Sequence, residues 1–197
     1  PLAPAAPPVP AGAEPLPARP LEGIRVCDFT WVWAGPYCNQ MLAHLGAEVV
    51  RLESPEHLCL LRRLPFHPPG VEPSPDTSGM FHIYNNDKRS IGLDLRPPET
   101  RQVIDCMIAS SDVVIDNFAY GAVEGLGLGY DVLARVHPGI IYLALKGFLP
   151  GPSEARPFLD ELAQMSAGLA FMTGPRGQPL RAGASMIDLV SLSGPLG

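Results

Sequence analysis

The fold is indicated most clearly by the stretch Cys27-Asp28-Phe29-Thr30-Trp31-Val32-Trp33-Ala34-Gly35-Pro36-Tyr37-Cys38. It joins the apolar run 24–29, which is typical of a short buried strand, to a predicted helix over 35–45. The apolar run 47–52 predicts a second strand, and Gly46 before it is typical of the residue that ends a helix. The segment is therefore a β-α-β unit, and its first turn lies at the edge of a parallel sheet where ligands bind.

The same alternation of strand and helix continues along the chain. Further strands are predicted at 91–95, 113–116 and 140–145. Helices are predicted at 81–85, 97–110, 130–136, 160–169 and 185–192, a short helix and loop at 121–129, and a long proline-rich loop at 54–78. Because parallel strands need a crossover between them, this pattern predicts an α/β fold with a Rossmann-like parallel sheet flanked by helices.

Composition limits the classes of function. The 197 residues carry a net charge of −6 without a basic block, so nucleic acid is not an expected partner. No apolar run reaches the length of a membrane span, so a membrane is not an expected partner either. The four cysteines lack metal-ligand spacing, which predicts no metal site and favours the reducing cytoplasm.

The two ends of the chain differ from its middle. Residues 1–20 are a Pro/Ala tract that predicts a linker or tail, and a folded domain is expected over 21–197. The sequence begins with proline and stops at Gly-Pro-Leu-Gly, from which we expect the N-terminal portion of a longer protein.

Several polar residues stand where chemistry is expected, and each has a second interpretation. Asn117 and Phe118 follow a predicted strand, where they can bind a base or simply form a turn. Lys88-Arg89 can meet a phosphate or be a solvated turn. Asp160 and Asp188 each begin a helix-like stretch, where a carboxylate can cap the helix or act as a nucleophile toward an acyl group. The residues alone leave these alternatives open.

Known catalytic signatures are missing from the sequence. It contains no G-x-G-x-x-G fingerprint, no phosphate-binding G-x-x-x-x-G-K-[ST] loop and no G-x-S-x-G elbow. The five histidines have no Cys or Asp at the spacing of a metal site or a triad. These absences argue against a dinucleotide enzyme of the usual type, a P-loop NTPase and a serine hydrolase.

An ordered set of short motifs resembles the family III CoA-transferases (the CaiB/BaiF family), which include formyl-CoA:oxalate and carnitine CoA-transferases. The set comprises 21–26, Ala34-Gly35-Pro36-Tyr37-Cys38, 45–50, Asp87-Lys88-Arg89-Ser90-Ile91, 93–95, 112–114, Asn117-Phe118, 126–130, His137-Pro138 and Ile141-Tyr142. The resemblance implies a Rossmann-like large domain that binds CoA or acyl-CoA as substrate, and an interlocked homodimer. It also implies that the family's small domain and returning C-terminal segment lie beyond this chain.

The resemblance also assigns roles to single residues. Asp188, which follows Thr173-Gly174 and Gly183, matches the nucleophile that becomes an aspartyl anhydride and then an aspartyl-CoA thioester. The family's CoA contacts carry over to Val32, Leu93, Arg96, Asn117 and Phe118, with Lys146 near the site. The implied activity is transfer of CoA from an acyl-CoA to a carboxylic acid.

This sequence departs from the family pattern at four positions. Trp33 replaces a polar glutamine, which suggests a different or bulkier acyl group, and Ser54 and Gly125 replace cations that touch the CoA phosphates. Ile187 replaces a small residue before the nucleophile. The related α-methylacyl-CoA racemases carry a histidine before the position of Asp160, whereas Leu159 stands here, which favours a transferase. A racemase and a non-catalytic CoA-binding or dimerisation module of a tandem fusion remain the alternatives.

Overall fold

Strands and helices alternate through the part of the chain that the computed structural model describes, residues 19–183 and 185–190. The strands are β1 (Arg25–Asp28), β2 (Glu48–Glu53), β3 (Arg89–Gly92), β4 (Val113–Asp116) and β5 (Ile141–Ala144). The helices are α1 (Ala34–His44), α2 (Gly79–Ile83), α3 (Arg101–Ala109), α4 (Ala122–Gly125), α5 (Tyr130–Val136), α6 (Asp160–Ser166), α7 (Leu169–Thr173) and α8 (Met186–Val190). Short 3₁₀ turns lie at Leu60–Arg63 and Pro98–Thr100.

The sheet has the strand order β3-β2-β1-β4-β5, and every neighbouring pair is parallel. Val26 in the central strand β1 pairs with Val49 on one side and Val113 on the other. The predicted α/β class with a parallel sheet flanked by helices is therefore confirmed. From the central strand β1 the chain first adds β2 and β3 on one side and then β4 and β5 on the other. The direction of strand addition therefore reverses between β1 and β4, and a crevice opens between their carboxyl ends.

Helices cover both faces of the sheet, so the central strands are apolar on both sides. Cys27 and Val114 face a core that includes Ile104 and Ile108 of α3 and Leu133 of α5. Val26, Val49 and Ile115 face a second core with Cys38, Leu42 and Ala43 of α1. Burial of these side chains fixes α1 directly behind the crevice.

The end of α1 confirms the predicted role of Gly46. Its φ of 112° is in the region that only glycine adopts readily. The Gly46 N–H donates to the Ala43 carbonyl at 2.9 Å and the Ala47 N–H to the Leu42 carbonyl at 3.0 Å. This pair of bonds is a Schellman motif, which turns the chain from α1 straight into β2.

Most predicted elements differ by a few residues at their ends, and two of the differences have a clear physical cause. β3 begins at Arg89, because its ladder to β2 runs from Val50–Arg89 to Glu53–Gly92. This edge strand therefore includes the polar residues Arg89 and Ser90 and only the first two residues of the predicted run 91–95. The helix predicted at 160–169 ends at Ser166, and a further helix that was not predicted, α7, begins after Gly168, whose φ is 77°. The predicted Pro/Ala tail at 1–20 lies almost wholly outside the described residues. No helix within those residues has the length and apolarity needed to cross a membrane.

Candidate functional site

Two loops meet at the crevice, one after β1 and one after β4, and Asn117 joins them. Its Oδ1 accepts the N–H of Trp31 and its Nδ2 donates to the Trp31 carbonyl, both at 2.7 Å. The Phe118 ring packs edge-to-face on the Trp31 indole, with ring centroids 5.9 Å apart. Asn117 and Phe118 therefore hold the β1 loop in position at the edge where the sequence predicted a ligand.

Val32 lies in the same loop in an unusual conformation. Its φ of 63° is left-handed, which costs a β-branched residue roughly 1–2 kcal/mol. The Val32 N–H donates to the Sγ of the buried Cys59 at 3.3 Å. The loop is thus held in a shape that it would not adopt alone, as is common at ligand sites.

The start of α1 packs closely against the end of β1. A Cβ on Gly35 would lie 2.3 Å from the Thr30 Cβ, so only glycine fits there. Thr30 in turn donates both its N–H and its hydroxyl to the buried Asp28 carboxylate. The Gly35 at the predicted ligand turn therefore serves close packing of helix and loop.

Lys88 faces neither a phosphate site nor solvent, so both interpretations are wrong for this residue of the Lys88-Arg89 pair, whereas the Arg89 side chain is exposed and pairs with Glu48. The Lys88 side chain is 2% exposed and donates to Asp28 at 3.2 Å, to the Pro36 carbonyl at 2.8 Å and to Asn85 at 3.0 Å. Burial lowers the pKa of Lys88, the Asp28 charge opposes this, and the neighbouring Arg51 charge adds to the lowering. Lys88 instead ties α1 to the end of β1.

A second buried carboxylate, Asp116, ends β4. It accepts hydrogen bonds from the Phe118 N–H at 2.9 Å, from Lys146 Nζ at 2.6 Å and from the Tyr142 hydroxyl. Lys146 Nζ also donates to the Phe118 carbonyl at 2.9 Å. Burial, with the hydrogen bond to Asp116 and its charge, raises the pKa of Tyr142, so its hydroxyl remains a proton donor.

A pocket of about 320 Å³ lies beside this carboxylate. Its lining includes Asn117, Phe118 and Lys146, three of the residues that the sequence assigned to CoA, together with Arg156 and Leu159. The pocket, at the carboxyl ends of β4 and β5, therefore combines an aromatic wall with cationic and amide groups, and the Glu154 carboxylate also lines it. This combination suits a ligand that carries carbonyl or phosphate oxygens on an apolar body.

Leu93 and Arg96 lie at the same edge of the sheet but farther along it, after β3. The Leu93 N–H donates to the Glu53 carbonyl at 2.7 Å, and its side chain packs against the core. The exposed Arg96 guanidinium donates to both Asp94 oxygens, at 3.2 and 3.0 Å. Because β2 and β1 lie between β3 and the crevice, only an extended ligand can reach from Lys146 to Arg96.

Asp188 lies on α8, which packs against α1 and α6. Burial and the negative charge of Asp160 raise the pKa of Asp188 to about 6; a hydrogen bond with Ser185 opposes this, and the Glu161 charge adds to it. Asp160 is 5% exposed and accepts the Ile187 N–H at 2.6 Å and the Gln164 Nε2 at 2.7 Å. Leu159 lines the pocket, and the next residue in the chain, Asp160, binds the backbone of Ile187. Asp160 therefore connects the pocket wall to the backbone directly before Asp188.

Three polar side chains at this site were given no role from the sequence: Asp116, Tyr142 and Gln164. Gln164 accepts the Ala182 N–H at 2.7 Å and so anchors the segment before Asp188. Asp116 could have been recognised from the sequence, because a carboxylate is unusual in a buried strand and this one ends a predicted strand. Tyr142 reaches Asp116 across 26 residues through the register of β4 and β5, and Gln164 reaches Ala182 across 18 residues. No local sequence pattern reveals such contacts.

The parallel strand order, the crevice between β1 and β4 and the loops that close it define a doubly wound α/β protein, with a candidate ligand site at the strand ends. A sequence model of CoA-transferase family III matches residues 21–193. The chain therefore belongs to CoA-transferase family III.

Individual relatives agree with this assignment. A formyl-CoA:oxalate CoA-transferase of Afipia carboxidovorans is 37% identical over 172 residues, which are 87% of this chain and 39% of that protein. An acyl-CoA transferase of Fusarium pseudograminearum is 39% identical and covers 86% of this chain and 38% of that protein. The crystal structure of a CaiB/BaiF family protein from Brucella suis matches with a TM-score of 0.79 and 32% identity, over 91% of this chain and 49% of that chain. The chain thus spans about two fifths of the length of these curated relatives.

Proposed function

We propose that the native protein transfers CoA from an acyl-CoA to a carboxylic acid, with Asp188 as the nucleophile. The observation that carries this proposal is the half-buried Asp188 carboxyl, whose pKa is raised to about 6. Its neighbour Ile187 is bound by Asp160, which directly follows Leu159 in the lining of the pocket that contains Asn117, Phe118 and Lys146. At neutral pH such a group is largely ionised and yet poorly solvated, which favours attack on a carbonyl carbon.

The chemistry follows from the reactivity of a carboxylate. An Asp188 oxygen attacks the thioester carbonyl, the carbon–sulfur bond breaks, and CoA leaves as the thiolate while an aspartyl anhydride forms. The thiolate then attacks the aspartyl carbonyl, which releases the donor acid and leaves an aspartyl-CoA thioester. The acceptor acid reverses both steps. An anhydride and a thioester are both activated, so each exchange proceeds without a large change in free energy.

CoA is proposed to lie along the carboxyl edge of the sheet. Val32, Asn117, Phe118 and Lys146 would contact the thioester end and the adjoining arm, since they surround the crevice and the pocket. Leu93 and Arg96 would contact the distant end of an extended molecule. The Trp33 ring packs edge-to-face on Tyr84, with ring centroids 5.3 Å apart, so an aromatic side chain stands where the family has a polar glutamine. We therefore propose that the acyl group is not small and polar.

A second copy of the protein is the proposed partner. Large exposed apolar side chains lie on α6, α7 and α8, directly before α6, and between α7 and α8: Leu159, Leu162, Met165, Phe171, Met172, Leu180, Met186, Leu189 and Val190. We call this set the α6–α8 face. An apolar surface of this kind marks an interface in most proteins, which supports the homodimer implied by the family.

The proposed location is the cytoplasm, in keeping with four cysteines that form no disulfide.

The test is to trap the intermediate in the native protein. The protein is incubated with an acyl-CoA, quenched with hydroxylamine and digested, and the modified residue is identified by mass spectrometry. We expect a hydroxamate at Asp188 and none in Asp188→Ala, whereas the matched surface variant Asp105→Ala keeps it.

Other outcomes would identify the alternatives. Solvent deuterium at the α-carbon of the acyl group, without an adduct, would indicate a racemase. CoA binding without adduct or exchange would indicate a non-catalytic module. Either result contradicts the proposed transfer.

A further inference from the structure

Asp116 collects more hydrogen bonds than the end of a strand requires. Its carboxylate is 1% exposed, and it accepts the Phe118 N–H and the Lys146 ammonium on Oδ1 and the Tyr142 hydroxyl on Oδ2. The Tyr130 ring stacks on Tyr142, with centroids 6.2 Å apart and an interplanar angle of 24°. Both carboxylate oxygens are therefore fixed, and the carboxylate cannot turn away from Lys146.

The Lys146 ammonium is only partly used by these contacts. An ammonium has three N–H donors. Within the described residues, two of them reach Asp116 Oδ1 and the Phe118 carbonyl. The side chain is 24% exposed and lines the 320 Å³ pocket, so the third donor is available to a ligand there.

The pairing also determines which kind of oxygen suits Lys146. Asp116 neutralises the ammonium at 2.6 Å, so the pair presents little net positive charge to the pocket. A phosphate gains most from an unpaired cation, whereas a neutral carbonyl gains from a firmly oriented N–H donor. The pair is thus suited to a carbonyl oxygen.

We propose that Asp116 is a positioning residue for CoA transfer, which holds Lys146 so that its free N–H donates to a carbonyl oxygen of the bound acyl-CoA. Tyr142 supports this role by fixing the other carboxylate oxygen. The inference rests on the proposed function, because it requires acyl-CoA in the pocket.

The test is a double-mutant cycle in the native protein, with KM for acyl-CoA and kcat measured separately. Asp116→Asn removes the charge that orients Lys146 and is expected to raise KM about tenfold, the size of one charge-assisted hydrogen bond, with kcat within about twofold. In the Lys146→Met background the same substitution is expected to change KM by less than about twofold. The matched control Asp105→Asn, on α3, is expected to leave KM unchanged.

Each remaining outcome is decisive. An unchanged KM in Asp116→Asn, or an equal effect with and without Lys146, would overturn the inference. If Asp116→Asn does not fold, Tyr142→Phe is used, which keeps the carboxylate and is expected to raise KM about threefold only while Lys146 is present. Wild-type protein that fails to bind acyl-CoA contradicts the proposed function and this inference together, whereas normal binding with no effect of Asp116 or Tyr142 contradicts this inference alone.

Discussion

The carboxylate of Asp160 accepts the backbone N–H of Ile187 at 2.6 Å, and this bond fixes the residue directly before the proposed nucleophile. The contact joins the start of α6 to the start of α8 across 27 residues of sequence. It also places the negative charge of Asp160 close enough to disfavour ionisation of Asp188. Asp160 thus positions the residue before the proposed nucleophile and, after burial, is the next cause of its raised pKa.

The first prediction concerns the pH dependence of transfer. Asp160→Asn removes a negative charge beside Asp188, so the pKa of Asp188 falls from about 6 and the acid limb of the kcat profile moves to lower pH. Glu161→Gln is the graded control, since Glu161 has a smaller effect on Asp188 and pairs with Arg181 at 2.6 Å. Acid limbs that coincide in wild type and Asp160→Asn would refute this coupling.

The second prediction concerns stability. The folded protein holds the Asp188 proton up to about pH 6, whereas the unfolded chain releases it near the ordinary value of 3.8. Stability from this group is therefore full below pH 4 and is lost as pH rises through 6. Asp188→Asn should raise the free energy of unfolding at pH 8 by about 1–2 kcal/mol, and by nothing at pH 4, in urea titrations. A gain that is the same at both pH values would show that ionisation is not its cause.

The third prediction concerns the packing of α1 on the β1 loop. Gly35→Ala places a Cβ against Thr30 and should lower the free energy of unfolding by about 1–3 kcal/mol. Gly125 in α4 is the matched control, because a Cβ there meets nothing within 4 Å. Gly125→Ala should raise stability by about 0.5–1 kcal/mol, so the two variants are expected to shift the thermal midpoint in opposite directions.

The fourth prediction concerns the bridge between the two loops. Asn117→Ala leaves the Trp31 N–H and carbonyl without their partner, which should lower the free energy of unfolding by about 1–3 kcal/mol and weaken CoA binding in calorimetry. Asn86→Ala, at an exposed position, should change stability by less than about 0.5 kcal/mol. Normal CoA affinity in Asn117→Ala would show that Asn117 does not contribute to CoA binding.

The sequence predicted the elements that are bounded by strong local signals. β4 and α5 have the predicted bounds, since apolar runs there end at polar residues or at His137-Pro138. The β-α-β unit and the ligand edge were also predictable, because Gly35 and Gly46 mark its turns. β3 was displaced because an edge strand is set by pairing with β2 and only weakly by its own apolar pattern.

The candidate site was only partly predictable, for a different reason. Asn117 and Phe118 were recognised from their place after a strand, yet their partner Trp31 lies 86 residues away from Asn117. Lys88 looked exposed in the sequence because its neighbours are polar, and only the fold shows that Asp28 draws it inside. Contacts of this kind depend on which loops the topology brings together, and single residue patterns do not contain that information.

The final prediction concerns the α6–α8 face. Phe171 is 76% exposed there, and a charge at its position should prevent burial of the face against a second copy. In the native protein Phe171→Glu is expected to weaken dimerisation at least about tenfold, as measured by sedimentation velocity over a range of concentrations. Phe66→Glu is the matched control, since Phe66 is 57% exposed in the loop before α2, and it should leave the dimer intact. Equal dissociation constants for both variants, or a wild-type protein that sediments as a monomer, would show that another surface or no second copy is involved.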